Sequence, residues 1–126
     1  MTRFLKIQDV IEIHDCLVQD FSGRLGIRDF GLLSSAIEMP KAQMAGAFLH
    51  ESVFDQASAY LFHLCQNHPF IDGNKRTAAI SSLVFLEDNK IFLNFDEIQF
   101  EKMTVETASG KISKQEIAHA LKKWKI

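Results

Sequence analysis

The sequence predicts an all-α fold of about six or seven helices around one buried helix. Three observations carry that expectation. Apolar residues recur at helical spacing in segment after segment. Capping signals stand ahead of several of those segments. Only Ile91–Phe95 reads as a short strand or a buried loop. The chain has 126 residues, of which 47% are apolar and eleven are Phe, enough to fill the core of one domain over residues 1–126.

The elements follow in order. Ile7, Val10, Ile11, Leu17, Val18 and Phe21 keep a helical period, so a first helix runs from about Ile7 to Phe21. Ser22-Gly23-Arg24-Leu25-Gly26 breaks it. Asp29 caps a second helix through Leu32, Leu33, Ala36 and Ile37, and Pro40 stops it. Residues 41–51 are ambiguous between a short helix and a mobile flap. From Val53 to Asn67 one face carries Phe54, Ala57, Tyr60, Leu61 and Leu64. Pro69 excludes its predecessor from the α region, so that helix ends near Asn67. The next runs from about Asn74 to Asp88, is apolar almost all round, and is placed at the centre. Asp96 with Gln99 resembles a capping box for a helix to about Ser109, with Gly110 as its stop. Ser113 with Glu116 opens the last helix, through Ile117, Leu121 and Trp124.

Composition excludes some functions. A net charge of −2 with mixed signs argues against a nucleic-acid binder that relies on bulk charge. Cys16 and Cys65 sit in apolar helical patterns and read as buried free thiols. The first residues hold no long apolar region, which predicts no signal peptide. The longest near-apolar run, Thr77 to Leu86, is too short to span a bilayer. A reduced, soluble, cytoplasmic protein is expected, with no direct nucleic-acid or membrane contact.

The chemistry concentrates in His68-Pro69-Phe70-Ile71-Asp72-Gly73-Asn74-Lys75-Arg76-Thr77. Asp72 to Thr77 forms a turn into a helix, whose first amides lack partners and carry partial positive charge. Gly73 permits a tight turn and close approach to the backbone. Lys75 and Arg76 add cations where they oppose the helix dipole, and a bound phosphate would remove that conflict. The Walker spacing is absent. Asp72, a carboxylate beside an anion site, reads as a ligand for a divalent ion bridging to phosphate, with a plain N-cap as the simpler role. His68, just before the turn, can take a proton from an attacking hydroxyl; its simpler role is a helix-ending histidine bonded to a carbonyl. His14, His50, His63 and His119 read as structural. A zinc site from His63, Cys65 and His68 is weak, because those spacings point to different helix faces. The basic end Lys122-Lys123-Trp124-Lys125 reads as a solvated helix terminus.

The stretch HPFIDGNKRTA resembles the signature of the Fic/Doc superfamily, and more closely its Doc (death-on-curing) toxin branch. Asp9-Val10 with Ile13-His14 resembles that branch's first helix. Gly26-Ile27-Arg28-Asp29, Leu32-Leu33, Ala36 and Pro40 resemble its second segment. The resemblance therefore covers about residues 8 to 124. It implies a compact helical bundle with the motif loop feeding a central helix. It implies that His68 is the base acting on a protein hydroxyl, that Asp72 holds magnesium, that Gly73, Asn74, Lys75 and Arg76 bind the phosphates of ATP, and that Phe70 is a buried anchor.

Two departures refine the expectation. Fic enzymes, which transfer AMP from ATP, carry glycine where this chain has Lys75. A lysine fills the space that lets the backbone approach the α- and β-phosphates. In Doc-type proteins this goes with the opposite nucleotide orientation, which implies γ-phosphoryl transfer by a protein Ser/Thr kinase. The implied substrate is a threonine of elongation factor Tu, which would stop translation. Many Fic enzymes also have an arginine three residues after the motif arginine, where this chain has Ala79. That favours control in trans by an antitoxin of the Phd type, a disordered tail folding onto an apolar groove near the N-terminal helices. The alternatives are an AMP transferase on the same scaffold and a non-catalytic antitoxin-binding module.

Overall fold

Most helices in this chain begin where a side chain can take up free amides. The computed structural model describes residues 1–126. Its helices are α1 (Ile7–Asp20), α2 (Phe30–Glu38), α3 (Val53–Asn67), α4 (Asn74–Asp88), α5 (Glu97–Ala108) and α6 (Lys114–Lys123). The Asp29 carboxylate accepts the Leu32 N–H at 2.9 Å at the head of α2. Ser52 and Asp55 form a reciprocal capping box on α3, and Ser113 and Glu116 form one on α6. Asp96 caps α5 through the Ile98 and Gln99 amides, but the returning Gln99 contact is absent. At the head of α1 the Asp9 carboxylate accepts the Lys6 N–H at 2.8 Å, but Lys6 itself supplies no side-chain cap. α4 has neither kind of contact. Its N-cap is Gly73, and no side chain caps it.

The helical expectation holds, with six α-helices in place of six or seven. Residues 41–51 do not form the short helix that was one of the two readings offered for them. A single 3₁₀ turn, Met39–Lys41, leads into a hairpin of β1 (Gln43–Met44) and β2 (Ala47–Phe48), paired antiparallel. Ala45 and Gly46 both have positive φ, 53° and 83°, as a two-residue I′ turn requires. Strands of two residues carry no alternation, so nothing in the pattern announced them. Phe48 packs against Phe4, ring centroids 5.5 Å apart, and fastens the hairpin to the body. Ile91–Phe95 forms no strand; it bonds back to α4 through the Ile91 N–H and the Leu86 carbonyl and makes one isolated bridge, Leu93 to Lys125.

One cluster of 18 buried residues forms the core, with Tyr60, Phe70 and Phe85 as its largest fully enclosed side chains. The central helix is α3 more than α4. It packs against α2, α4, α5, α6 and the 3₁₀ turn, and buries Gln56 through Leu61 in an unbroken run. α4 lies beside it, buried along Thr77, Ala78, Ser81, Ser82, Phe85 and Leu86 while Ile80 faces outward. The Tyr60 hydroxyl accepts the Leu5 N–H at 2.9 Å, and burial holds its phenol protonated well beyond the ordinary range. Both thiols are free, as expected, but only Cys65 is buried; Cys16 is exposed on α1. No helix is long and apolar enough to cross a membrane.

Candidate functional site

The site is built where α3 ends and α4 begins. Pro69 stops α3 at Asn67, as its restriction on the preceding residue demands. His68 takes a left-handed conformation, φ 49° and ψ 53°, which for a non-glycine residue costs about 1–3 kcal/mol and persists only when its surroundings hold it. They do. The Arg28 guanidinium donates to the His68 carbonyl at 2.7 Å and the Asn67 carbonyl at 2.9 Å. The amides of Arg28 and Asp29 donate to the Pro69 carbonyl, and the Ile71 amide donates to Gly26. Residues 26–29 therefore run antiparallel beside 67–71, with a bridge between Ile27 and Phe70.

The His68 side chain is exposed. Its Nδ1 lies 2.6 Å from Asn74 Nδ2. Asn74 is itself buried, with Oδ1 accepting the Phe70 N–H at 2.8 Å and Nδ2 donating to the Phe70 carbonyl at 2.9 Å. Those two contacts fix which end of the amide faces the imidazole. Nδ2 donates, Nδ1 accepts, and the neutral ring carries its proton on Nε2. The Asn74 side chain is thus fully engaged inside the loop; what it offers outward is its backbone amide.

Asp72 is held from the α1 side. Its Oδ2 accepts the Arg24 N–H at 3.0 Å and its Oδ1 accepts the Gly73 N–H at 2.9 Å. These two amides keep its pKa below the ordinary carboxylate value of 3.8, so the group is ionised at neutral pH. Each oxygen accepts one N–H and keeps lone-pair capacity toward solvent. A hard divalent cation sharing its shell with phosphate and water fits such a carboxylate.

Gly73 turns the chain into α4 with φ 77°. A Cβ there would sit 3.3 Å from Val18 Cγ2, so both the dihedral and the space favour glycine. The first α4 bond is Thr77 N–H to the Gly73 carbonyl, which leaves the amides of Asn74, Lys75 and Arg76 ahead of the ladder. Lys75 and Arg76 are exposed, and neither makes an ion pair with a carboxylate. The Arg76 guanidinium lies over the Phe21 ring, 4.0 Å from its centroid. Leu17, Val18, Phe21, Gly23, Asp72, Gly73 and Arg76 enclose a hollow of about 60 Å³. That is room for a phosphate group; the remainder of a nucleotide would lie across the open surface. A larger groove, about 440 Å³, runs along α1 and α4 and includes none of residues 68–76.

The structure thus gathers His68, Asp72, Gly73, Lys75 and Arg76 at one helix start, with Asn74 beneath them. Phe70 is the buried plug, 1% exposed. Sequence reasoning missed two residues that hold this arrangement. Arg28 clamps the His68 backbone. His14, read as structural, donates from Nε2 to the Asp72 carbonyl at 2.8 Å and stacks on Phe70 with centroids 3.8 Å apart. The only signal for either lay in short matches to the family's first two segments. His63, Cys65 and His68 form no metal site; no group of three potential ligands converges anywhere. His63 instead pairs with His50 across the Lys114 ammonium, at 3.1 and 3.0 Å.

An uncapped helix start with an imidazole at its lip and cations without carboxylate partners beside it has the features an anion-binding centre requires. The sequence profile described as the Fic/DOC family matches residues 4–86, and the chain belongs to that family. It is 35% identical over 123 residues to Toxin Doc of Mycolicibacterium smegmatis, spanning 96% of this chain and 92% of that one. It is 31% identical over 121 residues to Protein kinase doc of Escherichia phage P1, spanning 96% and 94%.

Proposed function

We infer that the protein is the toxin of a type II toxin–antitoxin pair and works as a protein Ser/Thr kinase, moving the γ-phosphate of ATP to a protein hydroxyl. The observation that carries this reading is the exposed His68 beside an uncapped α4 start, with Lys75 and Arg76 free of carboxylate partners. Two relatives along nearly the whole chain bear the names toxin and protein kinase, which supports it.

The chemistry follows from the geometry. The target oxygen bonds to the γ-phosphorus as the bond to the β-bridging oxygen breaks, ADP leaves, and the hydroxyl proton passes to His68. At rest the lone pair of the His68 ring rests on Asn74. Turning the exposed ring away from Asn74 presents that lone pair to the hydroxyl. Lys75, Arg76 and the free α4 amides balance the phosphate charge, and of these the amides are held by the helix and Arg76 by the Phe21 ring before the reaction begins. Asp72 is the residue that would hold magnesium, which when bound would supply further neutralisation of the phosphate charge. The side chain of Lys75, where Fic enzymes have glycine, favours the γ-phosphate at the target.

The proposed substrate is elongation factor Tu, and the proposed place of work is the cytoplasm. The proposed partner is an antitoxin of the Phd type. Its disordered tail suits the groove along α1 and α4, which has an apolar floor of Leu5, Ile13, Leu17 and Val84 and an acidic rim of Asp9, Glu12 and Asp88. The test is ATP labelled at the γ- or the α-phosphate, incubated with purified elongation factor Tu and either wild type or His68→Ala. Label should pass from the γ position with wild type alone. Transfer from the α position only would establish an AMP transferase, and equal growth arrest by His68→Ala in cells lacking the antitoxin would establish a non-catalytic module.

A further inference from the structure

His14 lies 58 residues from the carbonyl it holds, on a helix that supplies none of the residues assigned to the reaction. It is 1% exposed. One ring face stacks on Phe70, nearly parallel at 7°. Its Nε2 reaches the Asp72 carbonyl, and its Nδ1 is 3.1 Å from the Asp15 carboxylate. A Cβ on Gly73 would lie 3.7 Å from the His14 ring, so the imidazole also forms the floor of the turn. Three loop positions, 70, 72 and 73, thus rest on one side chain.

The contact with Asp72 decides the orientation of a peptide plane. A carbonyl only accepts, so Nε2 carries a proton. In a trans peptide the carbonyl and the following N–H point in opposite directions. With the Asp72 carbonyl drawn inward to His14, the Gly73 N–H points outward, where it meets Asp72 Oδ1. Glycine at 73 places little barrier against the reverse orientation. Reversed, the plane would turn a carbonyl oxygen into the cradle and break the Gly73 N–H contact with Asp72 Oδ1. An oxygen dipole there repels phosphate, whereas the observed orientation keeps that oxygen away from the cradle and helps hold the Asp72 carboxylate in place.

We propose that His14 is a positioning residue for nucleotide binding: its Nε2–H locks the Asp72–Gly73 peptide with the oxygen turned away from the cradle and the amide on Asp72. This rests on the nucleotide reading given above and adds a residue outside the motif to it. His14 touches neither nucleotide nor target and acts through the Asp72 carbonyl. Asp72 is then fixed at both ends from the α1 side, its carbonyl by His14 and its carboxylate by the Arg24 amide.

The experiment compares wild type with His14→Phe, which keeps a ring against Phe70 but has no donor, and His14→Gln, which restores an N–H near the Nε2 position. Two readouts are taken on samples with native helical content: the affinity for ATP with magnesium by calorimetry, and the Gly73 amide resonance of the nucleotide-free protein. His14→Phe should bind on the order of ten-fold more weakly, as expected when one buried hydrogen bond is lost, and His14→Gln should return to within about three-fold of wild type. The Gly73 resonance should move in the Phe variant and return in the Gln variant. Wild-type affinity and an unmoved Gly73 signal in His14→Phe overturn the proposal, as does a folded His14→Gln no better than Phe. Should His14→Phe not fold, the folded Gln variant decides by the same two readouts. Should wild type bind no nucleotide, the nucleotide reading fails, while the Gly73 resonance still tells whether His14 sets the peptide.

Discussion

Asn74 carries three contacts on one buried amide, to the Phe70 N–H, the Phe70 carbonyl and the His68 ring. Alanine at 74 would leave the backbone groups of Phe70 unpaired inside the protein, which costs about 1–3 kcal/mol. Asn74→Ala should therefore lower the denaturant midpoint by that equivalent and slow phosphoryl transfer further, because the His68 ring loses its rest position. A variant with unchanged stability would show that water or a neighbour replaces the amide. His68, Asp72, Lys75 and Arg76 were legible because they stand almost consecutively, and a turn into a helix brings neighbours together by itself. The Asn74 side-chain role was not legible, since the amide could as well have faced the phosphates. His14 was hidden for a different reason: one histidine at an i, i+4 position from Val18 looks like any core residue, and its acceptor is a backbone carbonyl, which has no sequence identity.

At the scale of elements, the capped starts of α2, α3, α5 and α6 contrast with the bare start of α4, and the bare start is the one proposed to bind phosphate. Helix periods and most stop signals were readable, because burial of one face imposes them. The hairpin was not, and neither was the pairing of residues 26–29 with 67–71, which consists of backbone bonds that any sequence could make. That pairing nonetheless sets where His68 stands, with Arg28 as its clasp. Arg28→Ala should keep the helical content while amide exchange at Asp29 and Ile71 quickens. The transfer rate should fall on the order of ten- to a hundred-fold, the effect of a catalytic group displaced by about an ångström. Unchanged exchange in a variant with a reduced rate would mean that the guanidinium acts on the substrate and not on the loop.

For the molecule as a whole, a buried thiol and two half-buried histidines set a window of pH for stability. On the alkaline side burial pushes the Cys65 thiol up to about 12 from 9.0. The unfolded thiol ionises first, so stability is full below 9 and declines as pH rises toward 12. On the acid side stand His50, at the exit of the hairpin, and His63 on α3. Both accept from Lys114 at the start of α6, so they tie three parts of the chain together in their neutral form. Burial, and then the Lys114 charge, hold His50 below its ordinary value, with Asp55 pulling the other way. Burial lowers His63 to about 4 from 6.5, with the Lys114 charge second and His50 third. Between those two values the unfolded chain binds a proton that the folded chain refuses, so stability is present above 6.5 and is lost as pH falls toward 4. His63→Gln offers Lys114 an amide oxygen that does not titrate. Thermal melts of wild type and His63→Gln at closely spaced pH should converge above 6.5, and the wild-type midpoint should drop more steeply below it. Parallel declines would place the acid sensitivity in the carboxylates, Asp72 among them, whose stabilising backbone contacts are surrendered only as pH falls through 3.8 and below.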